Sequence, residues 1–336
     1  MPSYSESLSA IIDSSDRMLG GLLNDKNPKN LYAPLNYMLS NKGKQIRGVF
    51  VLLSYKMFGG KNLNDFKDIV LAIEALHNFT LIHDDVMDNA RLRRGKKTIN
   101  EQWSNNQAIL SGDLLLIQSY KHLSNSQFST REMFNQFNKI AAQICEGQQL
   151  DLDFQLKKEI KIEDYFSMIE LKTAALIKLS LSIPLYSNYI YEEQPVKVDF
   201  SIKNNRKVIK KIGLSLGKLF QIQDDYLDFY GKKSAIGKII GGDVLEKKKT
   251  FLYVEACRLS KPQQKQDLIS IYHSEDPDKI KLVRALYMKL NVKNSALNKI
   301  NKLCLEVFNL ITELNLPDHK KKDLIEYIKF ILKRNS

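Results

Sequence analysis

Two short aspartate strings hold the residues best placed to do chemistry. The first is His83-Asp84-Asp85-Val86-Met87-Asp88 and the second is Gln223-Asp224-Asp225-Tyr226-Leu227-Asp228. Both have the form DDxxD, and both close a long apolar pattern of helical period. Residues four apart share a helix face, so Asp84 stands below Asp88 and Asp224 below Asp228. Like charges at that spacing destabilise a helix, and both strings lie toward a helix C-terminus, where the macrodipole disfavours anions. A single such string reads most simply as a solvated acidic patch. Two of them, each behind an apolar run, point to a compensating cation. Carboxylate oxygens suit a hard ion, and magnesium binds through one or two carboxylates while leaving positions for water and phosphate. A di-iron bundle would need paired Glu-x-x-His elements, which the five histidines do not supply.

Cations flank both strings. Arg91, Arg93, Arg94, Lys96 and Lys97 follow the first, and Lys232, Lys233 and Lys238 follow the second. Carboxylates with metal on one side and cations on the other are what a diphosphate needs: metal bridges some oxygens, while Arg forks and Lys point charges take the rest. A salt-bridged surface is the simpler reading for Arg91, Lys96 and Lys97 than for the Arg93-Arg94-Gly95 turn.

The elements that must position these groups read as helices. The eight prolines leave Pro34 to Pro184 and Pro195 to Pro262 free of proline, as helices require. Glycine pairs at Gly20-Gly21, Gly59-Gly60 and Gly241-Gly242 read as helix stops. Apolar residues recur at three- and four-residue steps around Leu71–Phe79 and Leu214–Phe229, and alternating runs are few. The pattern predicts helices near 5–23, 44–58, 64–89, 106–122, 129–156, 163–182, 198–230, 245–260, 264–274, 278–290, 293–314 and 318–333, with 185–200 as a loop. No linker or solenoid repeat interrupts the chain, so it reads as one all-α domain over 1–336, with the motifs between about 43 and 250.

Composition agrees. The chain has 336 residues, 43% hydrophobic, which excludes a disordered or fibrous protein. Lys plus Arg is 51 against 38 Asp plus Glu, a net charge of +13 that suits anionic partners or a lysine-rich solvated surface. Cys145, Cys257 and Cys304 are far apart, with no zinc spacing, which suits a reducing cytoplasm. The N-terminus does not read as a signal peptide, and no apolar run is long enough to span a bilayer.

Further segments fall in a characteristic order: Gly43-Lys44-Gln45-Ile46-Arg47, His77 seven residues before Asp84, Arg93-Arg94-Gly95, Gly112-Asp113, Gly147-Gln148-Gln149-Leu150-Asp151, Lys172-Thr173-Ala174, Phe220-Gln221, Gly237-Lys238, Gly242-Asp243 and Lys248-Lys249-Thr250. In this order, with both DDxxD strings, the chain strongly resembles the trans-isoprenyl diphosphate synthases, the polyprenyl synthetase family. The resemblance implies an orthogonal helical bundle around a prenyl-binding cavity. Departures at Lys42, Gln45, Gly48, Asn100 and Lys247 touch loop geometry rather than the charged groups.

The resemblance also implies roles. Asp84, Asp88 and Asp224 would bind several magnesium ions and hold an allylic diphosphate, with Asp85, Asp225 and Asp228 as secondary ligands. Arg93, Lys172 and Lys238 would add direct charge, with Thr173, Gln221 and Lys248 nearby. Lys44, Arg47, His77 and Arg94 would hold isopentenyl diphosphate without metal. Ionisation of the allylic diphosphate leaves a carbocation, the double bond of isopentenyl diphosphate attacks it, and the released diphosphate takes the proton. Phe79 and Thr80, five and four positions before Asp84, would set the depth of the tail channel. At 1.5 Å per residue Phe79 lies about 7.5 Å below Asp84 along the helix. One aromatic there, and no insertion in the first string, resembles archaeal-type geranylgeranyl diphosphate synthases. Farnesyl diphosphate synthase is the alternative, and a homodimer is the expected assembly. A terpene cyclase would lack the second DDxxD and the Lys44/Arg47 pair. A non-catalytic subunit of a longer-chain synthase would have lost aspartates, and a nucleic-acid binder would need a module that is not evident.

Overall fold

The computed structural model describes residues 6–19, 27–41, 43–187, 198–231 and 240–333. In chain order the elements are α1 Glu6–Leu19, α2 Lys29–Ser40, α3 Ile46–Met57, a 3₁₀ turn Leu63–Phe66, α4 Lys67–Met87, β1 Leu92–Arg93, β2 Lys96–Lys97, α5 Ile99–Gln102, α6 Asn105–Asn125 and α7 Arg131–Leu156. There follow α8 Ile162–Ile169, a π turn Glu170–Ala174, α9 Ala175–Ser182, a 3₁₀ turn Ile183–Tyr186, α10 Val198–Tyr230, α11 Gly242–Leu245 and α12 Phe251–Leu259. The chain closes with α13 Pro262–His273, α14 Lys279–Lys289, α15 Val292–Thr312 and α16 Asp318–Lys333. The fold is all-α, as the proline and apolar patterns require.

Two compact units form. One comprises 1–141, 176–213 and 308–336, the other 142–175 and 214–307.

In the first unit α4 is the central helix. Residues 69–76 of α4 are buried without a break, so this stretch has no solvated face. It packs on α6, α3 and α1, and α16 lies on α3. Gly48 of α3 is a required contact: a Cβ there would meet Ser15 Oγ at 2.8 Å and Val70 at 3.1 Å. The end of α4 is fixed by its own chemistry. Asn89 takes φ 49°, the Asn89 N–H donates to Val86 O at 3.2 Å, and the Ala90 N–H donates to Asp85 O at 2.9 Å. This is a Schellman stop, with Asn supplying the left-handed residue. It ends the helix as the first DDxxD finishes.

In the first unit two features depart from the pattern-based reading. Helix α2 forms where the predicted set leaves 24–43 without a helix; Pro34 lies inside it, but only one backbone donor is lost and Pro34 is buried. A two-residue hairpin pairs Leu92 with Lys97 and Arg93 with Lys96, too short to show as alternation. Its turn places Arg94 at φ 54° and Gly95 at φ 75°, the double left-handed geometry of a type I′ turn.

In the second unit the predicted helix 163–182 is broken by the π turn. Two glycines accommodate it. A Cβ on Gly147 would meet the Lys172 backbone nitrogen at 2.3 Å, and one on Gly217 would meet Ala174 Cα at 2.3 Å. Helices α7 and α10 therefore both run against the widened turn. Helix α12 begins at Phe251 rather than near 245, because Thr250 caps it by accepting from the Tyr253 N–H at 3.3 Å. It packs on α8, while α13 and α14 pair. Among the described residues, no helix is long and apolar enough to cross a membrane.

Candidate active site

In the first unit, the end of α4 sorts its three aspartates by position. Asp84 and Asp88 are half-exposed and Asp85 is buried. This follows from helical pitch: positions four apart share the open face, and the position between turns inward. Asp85 meets Arg93 of β1. The Arg93 Nε donates to Asp85 Oδ1 at 2.9 Å and Oδ2 at 2.8 Å, and its Nη2 donates to Oδ1 at 2.7 Å. The hairpin is thus clamped to the helix by a fork.

Beyond the turn, the Arg94 Nη1 donates to Asn41 O at 2.9 Å. Its guanidinium lies against Gly43, where a Cβ would come within 2.3 Å of Nη2. A larger residue at Gly43 would displace the guanidinium from this position. Burial and the neighbouring Arg93 hold the Arg94 guanidinium below its ordinary pKa. Lys44 is exposed beside it, and Gln45 takes a left-handed φ of 46° to start α3.

Arg47 Nη1 donates to His77 Nε2 at 3.0 Å. A guanidinium has only donors, so Nε2 must accept and the imidazole proton sits on Nδ1. Burial, then Arg47, Arg94 and Arg93, push the His77 pKa well below its usual value, so the ring is neutral. Under this group lies Glu74, buried and accepting the Gly48 N–H at 2.7 Å. Burial raises its pKa, against the Gly48 hydrogen bond and the charges of Arg47 and Arg94.

Thr80 does not face away from its own helix: its hydroxyl donates to His77 O at 2.7 Å. Phe79 packs on a cluster formed by Leu35, Leu71, Ala75, Ile82, Ile99, Ala108 and Leu115, with Met38, Leu39, Val86 and Leu114 at its edge. It also stands edge-on to His83 at 4.7 Å.

In the second unit the inner and outer aspartates again separate. Asp224 is exposed, while Asp225 and Asp228 are buried. Asp225 accepts three neutral donors: the Tyr165 hydroxyl at 2.8 Å, the Gln221 amide at 2.9 Å and the Phe251 backbone N–H at 2.7 Å. Burial and the nearby Asp243 nevertheless push its carboxyl up to about 7. Asp228 accepts the Asp243 N–H at 3.2 Å, which ties the second string to α11. Thr173 donates to Gln221 Oε1 at 2.8 Å, so the π turn joins the same network. Lys172, in that turn, pairs with Asp151 at 2.5 Å. Lys248 pairs with Glu246 at 2.8 Å, with Asp243 at 4.0 Å.

Within each unit the predicted residues gather: Lys44, Arg47, His77, Arg93 and Arg94 around the first string, Lys172, Thr173, Gln221 and Lys248 around the second. Lys232, Lys233, Gly237 and Lys238 lie outside the described residues. Sequence reasoning assigned no role to Glu74, Asp151, Tyr165 or Asp243. Asp151 and Asp243 stand in recognisable segments; Tyr165 and Glu74 carry no local signal. Among the described residues no cluster of three or more His, Cys, Asp or Glu forms a ready cage for a metal. Asp84 and Asp88 in the first unit are half-exposed and Asp224 in the second is exposed, and carboxylates are the donor type that suits magnesium, which takes one or two of them and completes its shell with water and phosphate.

The polyprenyl synthetase family model matches residues 28–290. A short chain isoprenyl diphosphate synthase of Methanocaldococcus jannaschii is 33% identical over 249 residues, 74% of this chain and 72% of that protein. A geranylgeranyl pyrophosphate synthase of Geoglobus acetivorans is 36% identical over 243 residues, 70% of each. The crystal structure of geranylgeranyl pyrophosphate synthetase from Pyrococcus horikoshii Ot3 superposes with a TM-score of 0.84 at 27% identity, covering 97% of this chain and 98% of that one.

Proposed function

Because the chain belongs to the polyprenyl synthetase family, we propose that it is a short-chain trans-prenyltransferase whose main product is geranylgeranyl diphosphate. It would condense isopentenyl diphosphate with allylic prenyl diphosphates. The observation that carries the reading is the repeated sorting of each DDxxD. The leading aspartate stays open to solvent, and the next is buried and fully occupied by protein donors. That arrangement leaves one carboxylate exposed to solvent, where a cation can reach it, and spends the other on holding the helix end in place.

Asp84 and Asp88 in one cluster, and Asp224 in the other, would hold magnesium. Bound magnesium neutralises diphosphate oxygens and so eases its departure. Asp85, Asp225 and Asp228 act as positioning groups rather than direct ligands. Lys44, Arg47 and Arg94 bind the diphosphate of the attacking substrate. Neutral His77 accepts from Arg47, fixes its guanidinium, and keeps a proton on Nδ1 for an oxygen acceptor. Arg93 has Nε and Nη2 committed to Asp85, which leaves Nη1 for a phosphate oxygen. Lys172, aimed by the π turn, and Lys248 supply charge on the allylic side, with Lys238 assigned by its motif. The chain itself supplies no nucleophile, and the departing diphosphate takes the proton.

Phe79 limits the tail from its place on the α2, α4 and α6 cluster. The chain acts as a homodimer, which the exposed Leu110 and Ile117 of α6, at 56% and 62%, support. The three cysteines are free thiols, in keeping with the cytoplasm. Incubation with labelled isopentenyl diphosphate and dimethylallyl, geranyl or farnesyl diphosphate, followed by chromatography of dephosphorylated products, tests the reading. Twenty-carbon product is expected. No elongation of any primer would overturn the activity, and a fifteen-carbon product would overturn the length.

A further inference from the structure

Away from both aspartate strings, cations concentrate on one stretch of α10. Lys203, Arg206, Lys207, Lys210 and Lys211 follow at three- and four-residue spacing, which stacks like charges along the helix. As with the aspartates, such a row destabilises the helix unless a counter-charge is present. Two cavities open here. One, of about 340 Å³, is lined by Lys203, Asn204, Arg206, Lys207 and Lys210. The other, of about 70 Å³, is lined by Lys210 together with Gln136 and Lys139 of α7 and Lys178 and Ser182 of α9, among others. Lys210 belongs to both, so cations from three helices converge. Among the described residues no carboxylate lines either cavity.

Two of the cations, Arg206 and Lys210, are held against the protein, while Lys139, Lys203 and Lys207 are exposed. Arg206 Nη2 donates to Leu185 O at 2.6 Å, and its guanidinium lies 4.4 Å from the Tyr186 ring centre. Lys210 Nζ lies 5.4 Å from the same ring. Cation–π contact of this kind fixes a charge without neutralising it. Burial and Arg206 lower the Lys210 pKa, and Glu132 opposes them. Glu132 is partly occupied: it accepts the Gln136 amide at 2.8 Å.

We propose that this face binds a phosphate-bearing anion, with Lys139, Lys178, Lys207 and Lys210 converging on it and Arg206 as the anchored guanidinium. The smaller cavity takes one phosphate group and the larger takes the rest of the ligand. None of these residues belongs to the substrate machinery, so the site stands apart from the proposed reaction. Its ligand comes either from a free polyphosphate anion or from a phosphorylated lipid headgroup.

Calorimetric titration of the full chain with inorganic diphosphate in EDTA tests this. Arg47→Ala/Arg94→Ala removes two of the three cations assigned to the metal-free diphosphate, EDTA removes the metal on which the allylic one depends, and this background is expected to retain one diphosphate site. Adding Lys207→Ala/Lys210→Ala to it is expected to weaken that site roughly tenfold or more, as loss of charge-assisted contacts does. By itself Lys207→Ala/Lys210→Ala is expected to leave turnover unchanged. Flotation with phosphatidylcholine vesicles, with and without phosphatidic acid, forms the second arm. Diphosphate binding without vesicle capture assigns a free anion, and capture lost in Lys207→Ala/Lys210→Ala assigns a headgroup. Failure in both arms overturns the proposal. So does an equal loss in Lys320→Ala/Lys322→Ala, a control of the same charge at two exposed positions of the C-terminal helix.

Discussion

Asp85 and Asp225 occupy the same place in the same five-residue string, and their surroundings differ in kind. Asp85 faces a guanidinium fork from Arg93, charge against charge. Asp225 faces a phenol, an amide and a backbone N–H, all neutral, with Asp243 adding negative charge nearby. Burial and Asp243 raise the carboxyl of Asp225 to about 7. The last residues differ too: Asp88 is half-exposed, whereas Asp228 is buried on the N–H of Asp243. The first string thus offers two accessible carboxylates and the second offers one. Equal strings do not make equal ligand sets, because helical pitch orients side chains but does not choose what they meet.

The contrast can be broken by mutation. Arg93→Ala strands Asp85 as a buried charge and is expected to destabilise the protein by about 3–5 kcal/mol. Tyr165→Phe removes one of three neutral donors from Asp225, at about 1–3 kcal/mol. Urea unfolding of both variants decides; equal losses would erase the distinction between a charged and a neutral counter-group.

Next come the accessible carboxylates. Asp84→Ala and Asp224→Ala are each expected to lower kcat by roughly 100- to 1,000-fold, the scale of losing a group that stabilises developing charge. Circular dichroism would remain that of the folded chain, since neither residue is buried. Near-normal turnover in either would remove that cluster from the metal assignment. Arg47→Ala sharpens the first cluster further. Its KM for isopentenyl diphosphate is expected to rise roughly tenfold, for the loss of one charge-assisted contact, with a smaller change for the allylic primer. Equal changes for both substrates would remove the distinction between the two diphosphate roles.

The smallest effect on turnover is expected at Phe79. It is half-buried, so Phe79→Ala costs less than the ~3 kcal/mol at which fully buried positions begin. The product is expected to lengthen by one five-carbon unit, because the opened volume accepts apolar tail at about 0.8 kcal/mol per CH₂ group. Unchanged products from a folded, active variant would make Phe79 ordinary packing beneath the first string.

The sequence by itself determined most of the helices, the sharing of a face by Asp84 and Asp88, and the order of the charged segments. These follow from spacing alone: a 3.6-residue period, proline exclusion and i, i+4 geometry act within a few residues. Local rules failed where a cost was met from elsewhere. No helix is predicted between 23 and 44, yet α2 forms there with Pro34 inside it, because one lost donor is outweighed by burial on α6. The π turn that aims Lys172 and Thr173 leaves no periodic trace, and it exists because Gly147 and Gly217, far away in sequence, leave room for its backbone. Only the tertiary structure decided that Arg93 answers Asp85, that Tyr165 answers Asp225, that Glu74 supports Gly48, and that lysines from three helices converge near Lys210. Counter-groups like these come from segments distant in the chain, and a charge buried by helical pitch takes whichever donor the packing of other helices brings to it.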